Sequence, residues 1–154
     1  VDITSINDNV LIKIINIILE NGAADGWRHL GDANIHAKGD IALQWASHNG
    51  HLYVVKCLIA HGADVHSKND SALCYASGNG HLAVVECLIY HGANIHPSDD
   101  YALCEASRNG HLPVVKCLVK HGANIHAIND WAIQYACSNG HTEVVEYLRQ
   151  IMNQ

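Results

Sequence analysis

"ASRNGHLPVVKCLVKHGANIHAIND", residues 106–130, decides the fold, because close copies of it stand at 76–100 and 46–70. The copies read "ASGNGHLAVVECLIYHGANIHPSDD" and "ASHNGHLYVVKCLIAHGADVHSKND", each displaced by 30 residues. A fourth opens as "ACSNGHTEVVEYL" at 136–148. Gly50, Gly80, Gly110 and Gly140 keep the same interval, as do Gly62, Gly92 and Gly122. A fixed period of this length is the signature of a stacked repeat, not of a single closed core.

Each unit reads as two short helices. Asp40, Asp70, Asp100 and Asp130 stand where a helix needs an N-cap, and their carboxylates are expected to accept first-turn N–H groups. The first helix runs through Ala42, Leu43 and Ala46, and Asn49-Gly50 ends it with a glycine free to turn left-handed. The second starts near His51-Leu52 and places Val54, Val55, Cys57, Leu58 and Ile59 on one apolar face. Pro113 falls in the first turn of its copy, where a missing N–H costs little. Gly62 stops that helix, and "ADVHSKN" is expected to be an extended connector. One unit alone cannot bury such a face; stacking does.

The segment "ALCYASGNGHLAVVECLIYHGANIH", residues 72–96, resembles an ankyrin repeat. That family's T-P-L-H-x-A signature recurs about every 33 residues, and here it is degenerate, as Ser71-Ala72-Leu73-Cys74-Tyr75-Ala76. The resemblance is strong from Asp40 to Leu148 and weak over residues 1–39. The units are three residues short, and the loss falls between His66 and Ala72, where the family builds a β-hairpin finger. The resemblance therefore implies an all-α, ankyrin-type helical solenoid with shortened inter-repeat fingers. Units of this length ending "GANIHxxND" also resemble those encoded by giant DNA viruses of amoebae.

The expected organisation is a degenerate N-terminal repeat or cap with an insertion at 1–39, repeats at 40–69, 70–99 and 100–129, and a C-terminal capping repeat at 130–154. In the last unit Thr142, Tyr147 and Arg149 bring polarity to stacking positions, as a cap requires. Near the start, "LIKIINIILENGA" resembles a second helix, yet Gly22 precedes Gly62 by 40 residues. The insertion carries Trp27 and Arg28, residue types enriched in binding hot spots. They either meet a partner or cover the first repeat.

Composition narrows the function. Apolar residues make up 49% of the 154 and charged residues 16%, with a net charge of -6. No cationic cluster is present to neutralise phosphates, so nucleic acid is not an expected partner. The apolar run from Val10 to Leu19 is too short to span a bilayer and lacks the flanks of a signal peptide, so no membrane partner is expected. Five of the six cysteines fall at two repeat positions and read as small buried residues of a reducing compartment. A cytoplasmic monomer is expected, in the host cytoplasm if the chain is viral.

Of the 13 histidines, eleven belong to the repeat ladders. Members of one ladder lie too far apart to share a zinc ion, and neither CxxC nor HExxH occurs. His61 and His66 leave room for a two-ligand surface site, but bonding to backbone groups at helix ends accounts better for the ladders. The Cys57–His61 spacing follows from the helix alone, and a nucleophile would need an orienting third group. No enzyme, cofactor or metal is expected.

Information in a repeat lies where the copies differ. One first-helix position reads Ile41, Ser71, Tyr101, Trp131, a second reads Trp45, Tyr75, Glu105, Tyr135, and a third reads His48, Gly78, Arg108, Ser138. Spacings of four and three put them on one stripe. Tyr53, Ala83, Pro113 and Glu143 also vary, but on the second helix, facing solvent. Of nine aromatic residues, five sit at the first two positions. In the ankyrin family the first helices line a concave side, so the resemblance implies a protein-binding groove at Trp45, His48, Tyr75, Tyr101, Glu105, Arg108, Trp131 and Tyr135. Two alternatives stand beside this scaffold. One is hydroxylation of a connector residue, His96 or His126, as happens at that site in the family; the other is a structural spacer for an upstream domain.

Overall fold

The computed structural model describes residues 35–60 and 62–153. Among these it forms eight helices and no strand. They are α1 (Ile35–His48), α2 (Leu52–Ala60), α3 (Ser67–Gly78), α4 (Leu82–Tyr90), α5 (Tyr101–Arg108), α6 (Leu112–Lys120), α7 (Ala127–Ser138) and α8 (Thr142–Met152). Each odd-numbered helix packs on the even-numbered helix that follows it and on the odd-numbered helix of the next unit; the even-numbered helices stack likewise. The result is an all-α repeat solenoid of two helical layers. Trp27, Arg28, His61 and the insertion before Asn34 lie outside the described residues.

The core follows the repeat. Leu73, Val85, Leu88, Val115 and Leu118 are completely buried, and the same positions are buried in the flanking units. Ala46, Ala76, Ala106 and Ala136 are also fully buried; a methyl there lets neighbouring first helices approach closely. Tyr53 is 64% exposed, and Ala83, Pro113 and Glu143 are exposed too, as expected for the outward side of the second helices.

The connectors depart from expectation. Instead of an extended run, Lys68, Asn69 and Asp70, at the start of the α3 span, form one left-handed turn ahead of its right-handed part, with φ of 48°, 59° and 55°. Ser98–Asp100 and Ile128–Asp130 repeat it. Left-handed residues with a Cβ cost roughly 1–2 kcal/mol each, least for Asn and Asp, so something must offset the turn.

The aspartates supply the offset, and not by capping. Asp100 occupies the N-cap position of α5, where its carbonyl accepts the N–H groups of Leu103 and Cys104. Its side chain makes no cap bond. The buried carboxylate instead accepts Nδ1–H of His96 at 2.9 Å and the backbone N–H of Asn124, in the next connector, at 3.0 Å. Asp70 does the same with His66 at 3.1 Å and Asn94 at 2.8 Å. The expected first-turn cap is thus a fastener between repeats, a charge-assisted bond made away from solvent.

The other histidine ladders also bond backbone. His81, His111 and His141 donate Nε2–H to the carbonyls of His48, Gly78 and Arg108, each 33 residues back. His91 and His121 donate Nδ1–H to Cys87 and Cys117 carbonyls at 2.8 Å, closing the ends of α4 and α6. Asn79 and Asn109 close first helices by donating side-chain N–H to the carbonyls of Tyr75 and Glu105.

Candidate partner-binding face

The variable stripe lies along α1, α3, α5 and α7, on helices whose opposite side is held by the alanine and leucine ladders. Its side chains meet from one unit to the next. The ring of His48 meets Tyr75 edge-on at 5.8 Å between centroids, and its Nδ1 accepts Asn79 Nδ2–H at 3.2 Å. Arg108 lies over the Tyr135 ring at 5.8 Å, and Tyr135 touches Trp131 at 5.5 Å. Arg108 Nη1 also stands 3.5 Å from Glu105 Oε1.

These residues keep much of their surface. Tyr75 is 45% exposed, Tyr101 39% and Trp131 36%; His48 and Arg108 are exposed as well. Tyr135 and Glu105 are half-buried. Trp45 behaves differently: its ring stacks on His51 at 5.2 Å and packs against the core. It belongs to the seal of its unit more than to the open face.

Between α3 and α5 the stripe opens into a cleft of about 320 Å³. Tyr75 and Tyr101 line it together with Glu105, Cys74 and Gly78; His48, Asn79 and Asn109 complete it. Spacing alone gave no sign of Cys74, Asn79 and Asn109, because Asn is constant in every copy and Cys reads as packing. Gly78 was the available signal, a gap in a position filled elsewhere by His48 and Arg108.

Electrostatics argue against a reactive thiol here. Burial, then the charges of Asp70 and Glu105, push the Cys74 thiol up to about 11. Burial, then Asp100 and Glu105, push Cys104 up to about 11 as well. Both remain protonated at neutral pH, and it is the thiolate that attacks. A hydrogen bond to Glu105 raises the Tyr101 phenol in turn. Among the described residues no group of three or more His, Cys, Asp or Glu side chains is arranged to hold a metal ion. No described helix is long and apolar enough to cross a membrane.

No curated protein matches the chain. The family model described as ankyrin repeats (3 copies) matches residues 5–99 and again 96–153. The match takes in the connectors, the glycine-ended helices and the stripe alike, and the chain belongs to the ankyrin-repeat family.

Proposed function

We propose that the protein is a non-enzymatic interaction scaffold that seats a segment of a partner protein along the first-helix face, the concave side of the stack. Ankyrin repeats generally mediate protein–protein interaction. One observation carries the finer reading: Tyr75 and Tyr101, at variable positions, stay open to solvent, while Leu73 and Leu103, two residues away in the same helices, are closed. Large rings with polar tips give contact area at little entropic cost, and sites exposing them gather binding energy. His48, Tyr75, Tyr101, Glu105, Arg108, Trp131 and Tyr135 form the proposed contact surface, with Trp45 at its edge and Trp27 and Arg28 beyond the described residues. The scaffold acts as a cytoplasmic monomer, in a host cell if its viral resemblance reflects its origin. A net charge of -6 favours a protein over a nucleic acid as partner.

Affinity capture followed by alanine substitution tests the reading. Tyr75→Ala and Tyr135→Ala should each weaken the captured partner by about 2 kcal/mol, near thirtyfold, with the melting temperature almost unchanged. Variants that unfold while the remaining folded fraction binds as before would assign these rings to packing.

A second reading has its own support. His96 and His126 are exposed on the connectors, with Nδ1 clamped by Asp100 and Asp130 at 2.9 and 2.7 Å. Rings held in one orientation on a surface turn suit a modifying oxygenase. Peptide mass mapping of protein from its native source would show added oxygen on the peptides holding His96 or His126, and unmodified peptides would reject the idea.

A further inference from the structure

We infer that the cleft between α3 and α5 is an anchor pocket for one cationic side chain, arginine or lysine, of the partner segment. The inference rests on the first-helix face being the binding face, and it names the chemistry which that face selects.

The cleft exists because position 78 is glycine. A Cβ there would lie 3.4 Å from Cβ of Glu105, an ordinary contact, and the residue is not left-handed. Backbone geometry therefore does not demand glycine at the end of α3. Glycine loses more conformational freedom on folding than alanine would, with no return in packing here. The return is the opening itself.

Its walls and floor define the occupant. Tyr75 and Tyr101 present aromatic surface, whose faces carry partial negative charge. The Glu105 carboxylate is shared: it accepts from the Tyr101 hydroxyl, Oε1 stands by Arg108, and Oε2 lies 3.9 Å from where a Cβ on Gly78 would stand, with Asn109 Nδ2 at 3.8 Å beside it. Arg108 leans away over Tyr135 and leaves the opening clear. The thiol of Cys74, on the wall, senses both Asp70 and Glu105, a sign of negative potential at that depth. A cation over the face of either ring gains cation–π attraction in addition to the carboxylate. An apolar side chain would strip water from Glu105 and return nothing; an anion would be repelled. At about 320 Å³ the cleft stands at the small end of ligand cavities and has room for one long side chain.

Selection from a random linear peptide library on the full chain tests this directly. Selected peptides should share an arginine or lysine. Changing that residue to glutamine or leucine should weaken binding at least tenfold, and so should Glu105→Gln in the protein. Gly78→Leu, which fills the opening, should abolish binding without lowering the melting temperature. Peptides that lack a common basic residue, ignore Glu105→Gln and yet are lost with Trp131→Ala or Tyr135→Ala would overturn the cationic pocket and leave the binding face standing. Peptides indifferent to all these variants, or no selected peptide at all, would overturn both.

Discussion

His111 reaches back 33 residues to donate Nε2–H to the carbonyl of Gly78 at 3.1 Å, and its ring occupies the space that a side chain at position 80 would need. A Cβ built on Gly80 would sit 2.6 Å from His111 Nδ1. The same contact joins His81 to Gly50 and His141 to Gly110. Each glycine is thus chosen twice, for its left-handed turn and for the imidazole lying on it.

Gly80 and Gly140 separate the two causes, because their φ angles are 78° and 77° but nothing lies within 4 Å of a Cβ at Gly140. Gly140→Ala should lose only the conformational term, about 1–2 kcal/mol. Gly80→Ala should lose clearly more by denaturant unfolding. A double variant with His111→Ala should recover part of the excess, the coupling that a mutant cycle isolates. Equal losses at the two glycines would refute the steric account.

The aspartate fasteners should differ in the same way. Asp100 is buried and holds both His96 and Asn124, whereas the Asp130 side chain is 41% exposed and holds His126. Asp100→Ala leaves the half-buried N–H of Asn124 without its acceptor and releases the exposed His96 ring, so a loss of about 2 kcal/mol is expected. Asp130→Ala should cost well under half of that. Thermal melts of the two variants decide it.

Ser47, Ser77 and Ser107 are fully buried, and their hydroxyls have no hydrogen-bond partner. A buried hydroxyl without a partner is destabilising. Ser77→Ala should therefore stabilise the protein by about 1 kcal/mol, raising its melting temperature by about 3 °C. A lowered melting temperature would show that the hydroxyl is satisfied in solution.

Alkaline stability should carry the mark of Cys74 and Cys104. Both thiols stand at about 11 in the fold against 9.0 for an ordinary cysteine. The unfolded chain therefore loses these protons first, and stability present below pH 9 falls as pH rises toward 11. The Cys74→Ala/Cys104→Ala pair should show a shallower decline across that window than the parent. Alkylation near neutral pH should reach exposed Cys137 well before either.

The sequence shows the burial pattern more plainly than the bonding pattern. Val84, Val85 and Leu88 announce their buried face through helical spacing, and a face of that kind has one place to go. Asp70 announces only that it precedes a helix. Its carboxylate turns to Asn94 because stacking brings the next connector to within 2.8 Å, a distance set by both units and written in neither. The extended reading of "ADVHSKN" failed for a related reason: Lys68 and Ser71 carry no glycine signal, yet the turn between them is left-handed, held by that same bond. At the candidate face, variation between copies pointed to Tyr75, Tyr101 and Trp131. It could not separate Trp45, whose ring turns toward His51.

The fasteners at Asp70, Asp100, His81, His111 and His141 each tie one unit to its neighbour and to no other. Stretched between its ends, such a molecule has no single clasp whose failure frees the whole. Units should peel from an end in succession, each paying out about 100 Å of slack. On a force-extension trace the protein would yield as an evenly toothed saw, and would rewind the same way when the tension is released.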